Sequence, residues 1–352
     1  MTEKYTYAPE NTLSSEIPEV FRCRVPLPDT LRAFVMNGVL REDVNEKSLL
    51  TVVAKQPLGF DLTVAKGAIL PDSLQIISVR DSANPLPLSY SNSFSFGENS
   101  ESNILLCSHT LSMDEFKTDS ELNIILSAGS KANIVIMQNE HNSSAHKMIF
   151  NIKLAKDSFI KVNIVSLHGA MLENHIDARL EGEGAVCELN GIYLVDGSQE
   201  IHTTVSVHHL VPKCQSRQLF KGILNNESKA LFFGKINVSK DAQKTEAYQA
   251  NHNLLLSRKS KVYAQPQLEI YADDVKCSHG ATSGRLDELA LFYMRSRGIG
   301  AAEAKLLQQV AFVYDVLEKI DNEQLRERLQ ELVESRLRGE FGNCTNCSMN
   351  CC

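Results

Sequence analysis

The chain has 352 residues, 43% of them hydrophobic, enough for one large core or two modest ones without help from metal or disulfides. Its formal net charge is −7 and no segment carries a stripe of Lys and Arg, which argues against nucleic acid as the main partner, because phosphate binding needs clustered cations. No window approaches the roughly 18 apolar residues of a membrane-spanning helix. Met1–Tyr7 shows no basic stretch leading into an apolar run, so the expectation is a soluble, cytoplasmic protein whose nine cysteines are thiols.

Residues 1–47 read as a short N-terminal helical arm. Pro28 precedes a helix candidate from Asp29 to Asn37, with Leu31, Phe34 and Val35 on one face and Gly38 to stop it.

Residues 48–285 read as β throughout. Ile134 and Ile136 alternate with Val135 and Met137, and Ile160, Val162 and Ile164 oppose Phe159, Lys161, Asn163 and Val165. Similar runs follow at Ile192–Val195, Thr203–His209, Leu219–Leu224, Leu231–Val238 and Val262–Tyr271, each closed by Gly, Asn, Asp or Ser. With no crossover helix between them, the series fits a sandwich, a barrel or a stacked β-solenoid. Polar turns such as Asn225–Ser228, in place of Asn-Gly hairpin pairs, lean toward the solenoid, but periodicity alone leaves solenoid and sandwich open.

Residues 286–338 read as three helices. The first spans Leu286 to Arg297, with Asp287 and Glu288 in its first turn, Arg295 and Arg297 in its last and Gly298 as its stop. The second carries Leu306, Val310, Val313, Leu317 and Ile320 on one stripe. The third carries Leu325, Leu329, Leu332 and Leu337, with Glu327, Arg328, Glu331 and Arg336 expected outside. Such a group of helices either packs only on itself or forms a docking surface. Residues 339–352 are a cysteine-bearing tail in which Cys344 and Cys347 have the spacing of a zinc or iron pair, while Cys351 and Cys352 are adjacent and strained as joint ligands of one ion. A tail of exposed thiols is the alternative.

Gln267–Thr282, followed by Gly284–Glu288 and Leu291–Ile299, resembles the signature of the SufB/SufD family of iron–sulfur cluster assembly proteins. Ser216–Gly222 and Asn253–Ser257 match it as well, so the clear resemblance runs from about Val205 to Ile320. It implies a right-handed parallel β-helix followed by a small C-terminal helical domain. It further implies that two paralogues, SufB and SufD, pair through their β-helices, and that each helical domain binds the ATPase SufC. In this chain the docking stretch would contain Leu286, Leu291, Phe292, Arg295, Arg297 and Gly298. SufB-like sequences carry Glu-His-Glu where this chain has Ser278-His279-Gly280, and a sulfur-accepting Cys where it has Asn251-His252. Neither Asn nor His holds persulfide sulfur. The resemblance is therefore to the SufD side of the family, and to a scaffold rather than an enzyme. Chemistry would pass through a transient iron–sulfur cluster rather than a tightly bound cofactor; a flavin on the complex, and a homodimer formed when SufB is absent, stay open.

Two residues carry the site expectation. His279 matches the family histidine placed where a nascent cluster forms, and imidazole suits iron; the plainer alternative is a hydrogen-bonded interface histidine. Cys277 lies two residues earlier, on the same strand face, and is otherwise a small buried hydrophobe. His208, His209, Cys187, Cys214 and His252 are too far apart in sequence to be read as one metal cluster; alternation puts His209 on an apolar face and His208 on a polar one. With no G-x-x-x-x-G-K-[ST] loop and no G-x-S-x-G elbow, ATP hydrolysis is expected on another chain. The rival readings are a secreted β-helix carbohydrate-active enzyme, which would carry clustered Asp along a groove, and a purely structural solenoid, which would show a conspicuous repeat.

Overall fold

The computed structural model describes residues 30–112 and 114–339. The chain crosses back and forth between two ten-stranded sheets. Sheet A holds Thr30–Met36, Val39–Leu40, Ser73–Arg80, Glu101–Thr110, Lys131–Asn139, Phe159–His168, Val186–Val195, Gln215–Leu224, Glu246–Leu255 and Lys276–Gly284. Sheet B holds the strands between them, from Val44–Glu46 to Lys261–Ile270. From Leu88 onward every pairing is parallel and joins a strand to the one two places on, one coil away. This is a parallel β-solenoid, and the alternative of a sandwich falls.

The coils recur about every 30 residues, as in the matched pair Asn133 and Asn103. What repeats at the corners is conformation more than sequence. A residue with positive φ precedes a buried serine at Asn99-Ser100, Gly129-Ser130 and Asp157-Ser158. The Ser130 and Ser158 hydroxyls donate to the carbonyls of Ser127 and Ala155, closing each turn at 2.7 Å.

The two sheets bury their faces differently. Inside the solenoid, Phe60, Phe94, Phe96, Phe150 and Phe232 anchor one long apolar core shared by both sheets. On its outer side, sheet A packs against helices α2 (Ala301–Leu317) and α3 (Glu323–Arg338), where Val313, Leu317, Leu329 and Val333 meet Ile77, Leu105, Val135, Leu194 and Ile223. Strands covered on both faces read as unbroken apolar runs, whereas sheet B, bare outside among the described residues, alternates strictly, as in Met171–Leu180.

That difference corrects the helix expected over residues 29–37. Thr30–Met36 is a strand, paired in parallel with Ser73–Val79. Leu31, Ala33 and Val35 enter the solenoid core while Phe34 and Met36 lie under the helices, so double burial imitates helical spacing. Residues 1–29 of the expected arm lie outside the described residues, as does the tail with Cys344 and Cys347, while Val39–Leu40 and Val44–Glu46, also expected in the arm, are strands. The helices do not pack only on themselves: α2 and α3 share a core with sheet A. Arg336, expected outside, is 6% exposed and donates from Nε to Leu167 O at 3.1 Å and from Nη2 to Gln199 Oε1 at 2.8 Å. Among the described residues, no helix is long and apolar enough to cross a membrane.

Candidate partner interface and iron site at the open end of the solenoid

Among the described residues, the solenoid stops without a cover. There Lys261–Ile270 and Lys276–Gly284 each pair on one side only, with Lys229–Val238 and with Glu246–Leu254. Their burial falls away accordingly, and the last strand of sheet A is exposed from Ser278 to Gly284. Two adjacent unpaired edges present rows of free N–H and C=O groups, a template for another strand.

His279 and Cys277 sit on that last strand and share its lumen-facing side. Cys277 is half-buried and packs against the small cluster of Ile236, Val238, Ala242, Ala247 and Ala272. Burial pushes its thiol pKa up, and a hydrogen bond with the Ala247 backbone partly offsets this. His279 is exposed. Two positions apart on a strand, an imidazole and a thiolate can reach one ion, and both are ligands that suit iron. Among the described residues no group of three or more His, Cys, Asp or Glu side chains could hold a metal ion.

The lumen beneath His279 turns polar. Gln218, Gln249, Asn251 and Asn253 point inward and are buried. Gln249 donates to Gln218 Oε1 at 2.7 Å, Asn253 to Asn251 Oδ1 at 2.6 Å and Asn251 to the Tyr193 hydroxyl at 3.2 Å, while that hydroxyl donates to Asn253. Burial pushes the Tyr193 phenol up to about 12, so it stays a proton donor. Gly222 makes room for this group, since a Cβ there would lie 2.0 Å from the Tyr193 ring. These amides escaped the sequence reading because polar residues in a lumen erase the apolar alternation that marks a strand; the recurrence of Gln249, Asn251 and Asn253 at every second position was the available signal.

The outward side of the same strand is different ground. Ser278 and Gly280 border a cleft of about 490 Å³ that also takes in Glu188, Arg217, Tyr248 and Lys319. His279 borders it through its place in the strand, but alternation turns its side chain to the lumen.

The other sequence candidates are scattered. His208 is half-buried on the bare face of sheet B, its Nε2 3.0 Å from Asp177. His209 is fully buried against the Ser216 hydroxyl at 2.8 Å, and burial lowers its pKa to about 4. Burial pushes Cys187 up to about 12 and Cys214 up to about 11, so both are inert thiols. His252 lies on the outer face of sheet A, bonded to Thr282.

Helix α1 (Glu288–Ser296) is capped by Asp287, whose carboxylate accepts from the Leu289 and Ala290 amides. Gly298 ends it with φ +89°, and Ile299 N–H returns to Met294 O. Of the expected docking residues, Leu291 is buried and Leu286 packs toward the helix core, while Phe292, Arg295 and Arg297 are exposed, with Arg297 stacked on Tyr293 at 5.2 Å. Leu289 and Tyr293, which the sequence reading passed over, complete the outer face with Phe292; the three are 80%, 59% and 72% exposed. Their spacing of three and four residues was the signal.

Residues 85–312 match the family model described as SUF system FeS cluster assembly, SufBD core domain. The chain belongs to the SufBD family. The match begins at residue 85, far upstream of the Val205 at which motifs become legible. The chain is similar to the iron–sulfur cluster assembly protein SufD of Escherichia coli, 32% identical over 252 residues, which are 71% of this chain and 59% of that protein. It is also similar to a SufBD family protein of Synechocystis, 33% identical over 59% of this chain and 46% of the relative, and to one of Mycobacterium leprae, 30% identical over 60% and 56%. The matched segments thus span about half the length of these curated relatives.

Proposed function

We propose that this SufBD chain is a non-catalytic scaffold subunit in iron–sulfur cluster assembly. Its open solenoid end pairs edge to edge with the matching end of a SufB partner. The outer face of α1, with Leu289, Phe292 and Tyr293, docks the SufC ATPase on a separate chain. His279, assisted by Cys277, offers ligands to iron or to the nascent cluster at the joint, and the cluster is cargo rather than a resident cofactor. The observation that carries this reading is the coincidence of two free strand edges with an exposed histidine on one of them. An imidazole and a thiol alone leave coordination positions for ligands from a second chain. The relatives named as iron–sulfur cluster assembly proteins support the reaction class. The reading places the chain in the cytoplasm, where Cys277 stays reduced. The same edges would pair two copies of this chain when SufB is absent.

Tagged chain should co-purify with a second solenoid subunit and an ATPase. His279→Ala should leave that complex intact and lower cluster yield in cells. Normal maturation of iron–sulfur enzymes in the His279→Ala strain would remove His279 from the mechanism.

A further inference from the structure

Polar side chains at several matched positions of neighbouring strands bond to one another in this solenoid. Asn133 donates to Asn103 at 3.0 Å, Asn190 to Asn163 at 3.2 Å, Asn151 to Asn123 at 3.0 Å and Gln249 to Gln218 at 2.7 Å, each pair in direct register. The pattern holds on the last strand pair of sheet A. There Lys276 donates to Glu246 at 3.0 Å and His252 bonds Thr282 at 2.7 Å, again in register.

Between those two lies the matched pair Gln249 and His279, facing the lumen. Gln249 is 3% exposed and, among the described residues, its Oε1 has no hydrogen-bond partner. Its place is confined: a Cβ on Gly234, across the lumen, would lie 2.4 Å from Gln249 Nε2 and 2.5 Å from Oε1. Neighbouring strands run about 4.8 Å apart, a span that an imidazole N–H and an amide oxygen bridge.

We propose that Gln249 is a positioning residue for His279. Its Oε1 accepts one ring N–H of His279, which fixes a single tautomer and turns the other nitrogen, with its lone pair, toward the open end and a ferrous ion. Histidine ligands are commonly oriented this way, through the hydrogen bond made by the second nitrogen. A neutral amide serves here where a carboxylate would add charge at a buried position. The assignment rests on the iron-binding role proposed for His279, but the contact is testable without iron.

The test uses the full chain labelled with ¹⁵N-histidine, with the His279 signals identified by their loss in His279→Ala. Wild type and Gln249→Glu, which keeps an acceptor oxygen, should show one tautomer at neutral pH; Gln249→Leu should show the averaged shifts of a free imidazole. Gly234→Ala, which crowds the amide out of place, should resemble Gln249→Leu. Ferrous ion titration should show affinity falling about 10- to 100-fold in Gln249→Leu and recovering in Gln249→Glu. Averaged His279 shifts in wild type, or the same shifts in wild type and Gln249→Leu, would overturn the proposal, as would equal ferrous affinity in all three. A tautomer that responds to Gln249, alongside undiminished cluster yield in His279→Ala cells, would keep the contact and sink the iron reading instead.

Discussion

Replacing Arg336 by methionine keeps the aliphatic stem inside the protein and removes the guanidinium that ties α3 to a corner of the solenoid. Its bonds to Leu167 O and to Gln199 Oε1 go with it. Hydrogen bonds to charged groups contribute about 1.5–3 kcal/mol each, which sets an upper range near 3–6 kcal/mol. Two features reduce it. Gln199 stays anchored, because its amide donates to Asn142 Oδ1 and Gly169 O and its oxygen accepts from the Asp196 amide. The variant also no longer desolvates a cation. We expect a net loss of about 2–4 kcal/mol, concentrated in α3. Local opening of that helix should therefore rise by roughly one and a half to three decades, read as faster amide exchange over residues 323–338, while strands deep in the solenoid, such as Ala145–Leu154, stay protected. Arg336→Lys should fall between, since an ammonium lacks the fork that reaches both acceptors. Exchange rates in α3 that change less than threefold in Arg336→Met would refute the reasoning.

Acid should weaken the fold through His209. Burial lowers its folded pKa to about 4, below the ordinary value near 6.5, so between those values the unfolded chain binds more protons and stability falls as pH falls. One such group accounts for about 1.4 kcal/mol per pH unit in that window. Urea midpoints from pH 7 to 4.5 should show a steeper decline in the wild type than in His209→Gln, and parallel curves would count against it. His168, which burial and then Arg336 and His141 hold well below 6.5, acts in the same direction. Gly222→Ala forces a Cβ to within 2.0 Å of the Tyr193 ring and should cost about 1–3 kcal/mol by chemical denaturation; an unchanged midpoint would mean the ring yields freely. On α1, Leu289→Asp with Phe292→Asp should move the melting temperature little, because both side chains are exposed, yet abolish co-purification of the ATPase. Retained ATPase would move the docking face elsewhere.

Sheet B and the lower lumen were legible because one face of each strand meets solvent, so Ile201, Val205 and Val207 alternate with His202, Thr204 and Ser206 as a sequence pattern. Sheet A was harder. Where α2 and α3 cover it, both strand faces are apolar, and Thr30–Met36 took on the look of a helix. The opposite effect hid Glu246–Leu255, whose inward residues are Ala247, Gln249, Asn251 and Asn253 and give no apolar rhythm. Arg336 was placed outside because a charge on an amphipathic helix usually is; only the three-dimensional meeting of α3 with the corner at Leu167 and Gln199 supplies its partners. The candidate residues His279 and Cys277 came from the family motif, and the structure adds that they stand on a strand edge unpaired among the described residues. The Gln249 ladder could not be read in advance, because register between strands 30 residues apart is set by the corners.

The polar lumen near that edge is hard to account for by folding alone. At the corner of the solenoid near Glu140, buried His146 uses both ring nitrogens, one 2.5 Å from Glu140 Oε1 and the other 2.7 Å from Ser120 Oγ. Near the open end Gln218 and Gln249 share one bond, and each keeps one buried atom without a partner among the described residues, as Glu140 Oε2 does at its corner. An unpaired buried polar atom costs about 1–3 kcal/mol, and leucines of similar volume would remove that cost. Deeper in the solenoid the lumen does use aliphatic residues, as in the register pair Ile134 and Val162. Amides that are costly in isolation, set one coil beneath the exposed His279, are what a site needs when its remaining groups arrive with a partner, because covering the open end strengthens every dipole enclosed there. That arrangement is compatible with the joint between two chains proposed above.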